Sequence, residues 1–508
     1  MKQMNRSRGK AAVVNSSVAT FSQIVLILMQ FIARTIFIHE LGEQYLGLNG
    51  LFTNLLNMLN LAELGIGSAI TFSLFEPIFK EDKRQVAAIM HLLRKWYRII
   101  AAVVFVGGLI LVPFIPYLIH NSAFSNWQLY IFFVLALSGT VSTYLLSYKR
   151  TLLIADQLGY INTLNTVAYS VVQQTLQIVF LVIYPNFYVY LIIQVLSNLI
   201  SNYNISRVVD RRYPFLNETD DPVDPSILSY FRKNVVGMIS AKLGGIVVNS
   251  TDNILISYFM GLADVGKYAN YTLITTGLTS VLTQAVTAVS SSIGNLAVSK
   301  RKKQEVKVFN QYFSITVLVS LLMSVGLASF STAFIHLWIG SKYLLGTLTV
   351  FLIAFNFLLQ SIRQALISYS NSYGLYWQQR YKPIFESAVN LIISIILIKY
   401  THLGISAVLI GTIASNLFVN YWWEPLAVFK YGFFRPVSGF LAKYAVVIFV
   451  SACLIAGSQI IGYKIAQFWL SVGITIINII VSEVLMLLVL RLCGMKINIR
   501  SIVKRVFK

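Results

Sequence analysis

The sequence predicts an all-α membrane protein of about fourteen transmembrane helices, and three observations carry the prediction: composition, the regular return of long apolar runs, and the sorting of basic residues between loops. Of 508 residues, 57% are hydrophobic and 11% charged, with a mean hydropathy of +0.72, which fits no soluble globular class. A bilayer core of roughly 30 Å takes about 20 apolar residues per helix. Runs of that size occupy 12–38, 46–76, 95–118, 128–148, 160–184, 188–208, 235–260, 268–297, 310–335, 345–371, 384–400, 404–424, 441–463 and 467–492. The first follows Lys2, Arg6, Arg8 and Lys10, but its apolar part is too long for a signal peptide and no small-residue cleavage site follows, so it is read as a span.

With the amino terminus inside, and basic residues in the end turns of spans counted with the adjoining loop, the 40 Lys and Arg sort into 33 on the cytoplasmic side, 4 on the external side and 3 deep within spans. That is the positive-inside bias, and it places both termini on the cytoplasmic side of the cell membrane. The same distribution turns the net charge of +22 away from nucleic acid and toward anionic lipid headgroups, which face Lys80 to Arg98, Lys300 to Lys307 and Arg491 to Lys508. External connections such as His39 to Tyr45 and Thr401 to Gly404 are too short to fold as a catalytic or receptor domain, which argues against an enzyme such as a membrane glycan polymerase. Cys453 and Cys493 stand in apolar context and imply neither a disulfide framework nor a metal site. The five histidines fall near span ends or in loops, so no metal cluster is visible.

The longest polar stretch, Arg207 to Asn234, holds an acidic, proline-bearing segment and reads as a linker. A repeat supports the division: a shift of 219 residues brings Leu41-Gly42 and Gly47 onto Met260-Gly261 and Gly266, and Lys83-Arg84-Gln85 onto Lys302-Lys303-Gln304. The expected organisation is an N-terminal six-helix lobe (1–208), a linker (209–234), a C-terminal six-helix lobe (235–430), and two added helices with a basic tail (431–508). Because six is even, both lobes begin on the same side, and a substrate site is expected between them.

Ionisable groups within spans cost about 2.5 to 3.5 kcal/mol each on insertion scales and normally face a bundle interior or a wet cavity. Those singled out are Arg34, Glu63, Lys242, Asp252, Arg363 and Glu483, the last assigned a structural role. The first five lie on polar helix faces: Gln23, Gln30 and Arg34 on the first helix; Asn49, Thr53, Asn57, Asn60 and Glu63 on the second; Lys242, Asn249 and Asp252 on the seventh; Asn356, Gln360 and Arg363 on the tenth. The fifth adds Asn162, Asn165, Tyr169, Gln173 and Gln177. Such stripes could glue helices, with Arg34 paired to Glu63 and Lys242 to Asp252. The functional reading is a hydrated vestibule whose amides and hydroxyls meet sugars and whose Arg34, Lys242 and Arg363 meet a phosphate. Three cations against two carboxylates would leave one positive charge uncompensated, and a guanidinium can grip two phosphate oxygens at once.

The basic amino terminus, Ala33-Arg34-Thr-Ile-Phe-Ile-His-Glu-Leu-Gly42, Ala62-Glu63-Leu-Gly-Ile-Gly-Ser-Ala69 and Ser250-Thr-Asp252-Asn-Ile-Leu-Ile-Ser257 resemble the Wzx-type polysaccharide-unit flippases of the multidrug/oligosaccharidyl-lipid/polysaccharide superfamily. The resemblance spans essentially the whole chain, through diffuse motifs. It implies a MATE-like pair of lobes that opens alternately to either side, a cationic lumen, and an undecaprenyl-pyrophosphate-linked oligosaccharide as cargo. Arg34 and Glu63 match the family's cationic first-helix and acidic second-helix positions; Lys242, Asp252 and Arg363 match by location. No cofactor is implied, and coupling to Na⁺ or H⁺ is left open. Expected partners are membrane lipid, the glycan substrate, and a polysaccharide polymerase or other assembly protein. The alternatives are a lipid II or teichoic-acid precursor flippase and a drug or cation exporter of the same superfamily.

Overall fold

The computed structural model describes residues 8–59, 74, 77–119, 123–156, 158–217, 251–298, 302–375, 377–463 and 468–495. The described residues contain helices and no strands, and ten helices among them are long and apolar enough to cross a membrane. Apart from end residues and a break at 145–147 in the fourth, each of the fourteen predicted spans is helical over its described part. The chain is a multi-pass membrane protein. It divides into two compact units: unit 1 comprises 1–246 and 260–266, unit 2 comprises 247–259 and 267–508.

Unit 1 contains α1 (Arg8–Leu41), α2 (Glu43–Leu59), α3 (Lys83–Leu111), α4 (Asn126–Tyr144), α5 (Tyr148–Ala155), α6 (Gly159–Ile183) and α7 (Phe187–Arg212). Local chemistry sets the ends. Asp82 accepts from Gln85 N at 3.0 Å to start α3, Ser125 and Gln128 form a capping box on α4, and Asn186 caps α7. α3 begins twelve residues before the predicted span, because its first turns are amphipathic rather than uniformly apolar. It tightens into a 3₁₀ turn at Val112, where Pro113 and Pro116 cannot continue the α-helical ladder. Tyr45, Phe124, Phe132 and Phe187 pack edge to face at 4.7 to 6.1 Å and join α2, α4 and α7.

The repeat glycines have matching geometry. Gly42 and Gly261 both take positive φ, +86° and +100°, where a β-carbon is disfavoured. Gly47 lies against the backbone carbonyl of Leu262 and Gly266 against that of Glu43, so α2 and the 260–266 segment cross backbone to backbone within unit 1. Likewise Lys83 and Lys302, equivalent in the repeat, each open a long helix.

Unit 2 contains α8 (251–260), most of α9 (Leu262–Val298), α10 (Lys302–Ile339), α11 (Thr347–Ser372), α12 (Lys382–Tyr400), α13 (Ile405–Ser415), α14 (Ser438–Tyr463) and α15 (Phe468–Leu492). α13 continues to Phe433 through two π-helical turns, Asn416–Asn420 and Ala427–Phe433. Gly411 lets α13 approach the Asn390 carbonyl and Ser394 on α12. The two added helices pack on α10: Gly462 meets the Ser329 backbone, and Asn478 donates to Ser329 Oγ at 3.1 Å. These are the small-residue and amide contacts that join helices where lipid removes any hydrophobic drive.

Candidate functional site

The predicted fourth span is two helices. α4 ends at Tyr144, Leu145 is extended and Leu146 takes φ +64°, a left-handed conformation disfavoured for leucine, before α5 resumes at Tyr148. The break exposes carbonyls of the last turn of α4. Asn202 on α7 answers them, its Nδ2 donating to Ser142 O at 2.9 Å and Thr143 O at 3.2 Å.

Just after the break come Lys149 and Arg150, which hydropathy sorts onto a cytoplasmic loop. Both are helical, on the stretch Asn126–Ala155 that continues the predicted span, and Lys149 is buried. Hydropathy averages the apolar residues and ends the span at the first basic pair, whereas the helix pairs that charge internally. Lys149 Nζ stands 2.6 Å from both Asp210 carboxylate oxygens and 2.8 Å from Ser206 Oγ. Its charge is compensated.

Arg150 differs. Nη1 donates to Asn162 Oδ1 and Thr166 Oγ1, both at 2.8 Å; Nη2 donates to Ser201 Oγ at 3.0 Å and Asn202 Oδ1 at 2.9 Å; Nε donates to Asn202 Oδ1 at 3.2 Å. All of the acceptors are neutral, and no carboxylate pairs with Arg150 among the described residues. Arg150 lines a cavity of about 670 Å³ within unit 1, between α3, α4 with α5, α6 and α7. Its α6 wall is part of the predicted fifth-helix stripe, Asn162, Tyr169 and Gln173 with Thr166 and Ser170, and its α7 wall carries Ser197, Asn198, Ser201 and Asn202. Two stripe members do structural work instead: Asn165 donates to Ser201 Oγ at 2.9 Å, and Gln177 to Tyr190 O at 3.0 Å.

In unit 2, Arg363 on α11 meets the next two helices as Arg150 does, but with carboxylates. It donates to Glu424 from Nη2 at 2.7 Å and from Nε at 3.1 Å, to Glu386 at 3.3 Å, and to Asn416. Lys382 Nζ adds a 2.6 Å contact to Glu424, and Asn420 donates to Glu386. Two cations and two carboxylates close a buried, neutral network. The balance of three cations to two carboxylates therefore changes, because Lys382, Glu386 and Glu424 at the ends of spans were left out of it.

Asp252 is buried on α8, and Thr412 Oγ1 approaches its carboxylate at 3.4 and 3.5 Å while accepting from Asn390 Nδ2 at 2.8 Å. Asn390 Oδ1 is buried without a hydrogen-bond partner. A carboxylate, a hydroxyl and an orphaned amide oxygen are the hard donors that a small cation takes. These residues could hold a small cation. Gln360 donates to Asn356 Oδ1 at 3.4 Å. Arg34 is half-buried on α1 with no ion pair among the described residues, and Gln30 and Asn57 are exposed. Glu63, Asn60, Lys242 and Asn249 lie outside the described residues, and with them the proposed pairs of Arg34 and Asp252.

Solved structures share this architecture. A multidrug-resistance MATE transporter in its inward-facing conformation matches 84% of this chain and 99% of its own, with TM-score 0.60 and 16% identity. The lipid II flippase MurJ, in an inward closed conformation, matches 93% of this chain and 98% of its own, with TM-score 0.64 and 13% identity. The Vibrio cholerae MATE transporter VcmN matches at TM-score 0.59 and 14% identity, over 84% of this chain and 99% of its own. The chain has the MATE-like fold. No family model and no curated protein sequence matches it.

Proposed function

We propose that the protein is a flippase that carries an undecaprenyl-pyrophosphate-linked oligosaccharide from the cytoplasmic to the outer leaflet of the cell membrane by alternating access, for surface polysaccharide synthesis. One observation carries this reading: among the described residues, the unit 1 cavity is lined by amides, hydroxyls and one cation without an ion pair, and by no carboxylate. Sugars are bound by amides and hydroxyls, and a phosphate by a guanidinium. A cationic drug would instead call for an acidic wall. Wet, polar walls let a headgroup cross while its polyprenyl tail stays in lipid, avoiding the cost of moving phosphate and sugars through hydrocarbon.

The fold admits both cargo types, since its solved members include a multidrug transporter and a lipid II flippase. Solved MATE structures occur in inward-facing and outward-facing forms, which supports alternation as the mechanism. In this reading the basic loops face the cytoplasm, Arg34 and Lys242 add to the cationic path, and a polysaccharide polymerase receives the product. Lipid II or a teichoic-acid precursor is the second reading, because each shares the polyprenyl phosphate anchor.

The test is reconstitution in liposomes with a fluorescent undecaprenyl-pyrophosphate oligosaccharide in the inner leaflet. Protein-dependent appearance of label outside, competed by the unlabelled lipid and not by ethidium, is the expected outcome. Ethidium transport without lipid movement would assign the protein to drug export.

A further inference from the structure

We propose that Arg150, with Asn162 and Thr166, forms a phosphate-binding subsite inside unit 1, which holds the phosphate of a phosphate-bearing lipid headgroup. The inference rests on the flippase reading only for which lipid supplies the phosphate.

Two adjacent cations in the same broken helix have opposite fates. Lys149 is neutralised by Asp210, whereas Arg150 is held by Asn162, Thr166, Ser201 and Asn202 and keeps its full charge. An arginine within an apolar helical stretch is costly, and pairing is the usual remedy. Unit 2 supplies the internal comparison: Arg363, which likewise reaches the following two helices, is capped by Glu424 and Glu386. Unit 2 satisfies its arginine with carboxylates, whereas unit 1 satisfies Arg150 with amides and hydroxyls. Neutral acceptors orient the guanidinium without discharging it.

Geometry selects the ligand's approach. Nε and Nη2 are tied to α7 through Asn202 and Ser201, and Asn202 is itself anchored by the freed carbonyls of Ser142 and Thr143. That half of the fork is fixed. Nη1 donates to Asn162 and Thr166, both of which line the cavity. Phosphate oxygens replacing these two acceptors would gain two charge-assisted bonds, while the Asn162 amide and the Thr166 hydroxyl, rotated, can donate to the same phosphate. Gln173 and Tyr169, further along α6 in the same cavity, are then placed for hydroxyl groups attached to it.

The experiment measures affinity in detergent for three probes: undecaprenyl pyrophosphate, phosphatidylglycerol and inorganic pyrophosphate. Arg150→Gln should weaken undecaprenyl pyrophosphate binding at least tenfold, and Arg150→Lys should fall between, since it keeps the charge and loses the fork. Asn162→Asp keeps the shape and places a carboxylate on Nη1. It should weaken binding at least tenfold with a melting temperature no lower than the parent, which separates lost binding from lost folding. Undecaprenyl pyrophosphate binding within twofold of the parent in both Arg150→Gln and Asn162→Asp would overturn the subsite and leave the flippase reading standing. Arg150-dependent binding of phosphatidylglycerol or inorganic pyrophosphate, without binding of undecaprenyl pyrophosphate, would uphold the subsite and overturn that reading. Binding of none of the three probes by the parent would overturn the subsite.

Discussion

Glu424→Gln should be among the most damaging single-atom changes in unit 2, and the structure supplies the magnitude. The Glu424 side chain is 1% exposed and accepts from Arg363 Nη2 at 2.7 Å, Arg363 Nε at 3.1 Å and Lys382 Nζ at 2.6 Å. At an effective dielectric near 20, each unit-charge contact at such range is worth roughly 5 kcal/mol before desolvation is subtracted. Much of that is offset in the intact network. Removing one charge leaves two cations facing Glu386 alone, at 3.3 Å from Arg363 and 3.9 Å from Lys382. Breaking a buried pair from one side typically costs about 3 to 5 kcal/mol, and at least about 3 kcal/mol is expected here. The assay is denaturant unfolding of the purified protein in detergent, run as a cycle with Arg363→Gln and the double variant. The double variant should be milder than the sum of the singles by about 1 to 3 kcal/mol, because it removes both ends of the pair. A Glu424→Gln cost within about 0.5 kcal/mol, or strict additivity, would show that the network is not a coupled unit and refute the reasoning.

Three further outcomes are expected. Gly47→Ala should destabilise by about 1 to 3 kcal/mol, because the new methyl meets the rigid Leu262 carbonyl; an unchanged melting temperature would contradict the crossing. Sodium should raise the melting temperature over choline at equal ionic strength in the parent and not in Asp252→Asn, since an ion that binds only the folded state stabilises it; equal sodium response in both would remove Asp252 from an ion site. At the membrane edge, burial and the hydrogen bond it donates to Asp156 push the Tyr213 hydroxyl above its ordinary range. A raised folded value means the stabilisation is present below the unfolded value of about 10 and is lost as pH climbs beyond it, so Tyr213→Phe should flatten the loss of stability seen above about pH 10. A parental profile with no such loss would count against the contact.

Much of this was legible beforehand because lipid makes the sequence speak plainly. Apolar runs of bilayer length gave the helices, and the repeat of Gly42 and Gly47 with Gly261 and Gly266 corresponds to matching backbone geometry. The stripe on α6 was also readable, since Asn162, Tyr169 and Gln173 recur at helical spacing and line the cavity. Arg150 was missed because averaging over a window ends a span at the first basic pair, and the helix break at Leu146 carries neither glycine nor proline as a signal. Arg363 was found, but its environment was not. Glu386 and Glu424 lie 23 and 61 residues away, and no local pattern in a sequence reports that such distant carboxylates converge.

The crossing of α2 with the 260–266 segment limits how this chain can vary. Each glycine abuts a peptide carbonyl of the other segment, an obstacle with no rotamer to swing aside, so enlarging either position cannot be relieved by trimming a neighbouring side chain. Two turns of matching geometry are each other's wall. Drift at one must then wait for a backbone shift that carries both, and the pair should persist as glycines while the lipid-facing residues around them change freely.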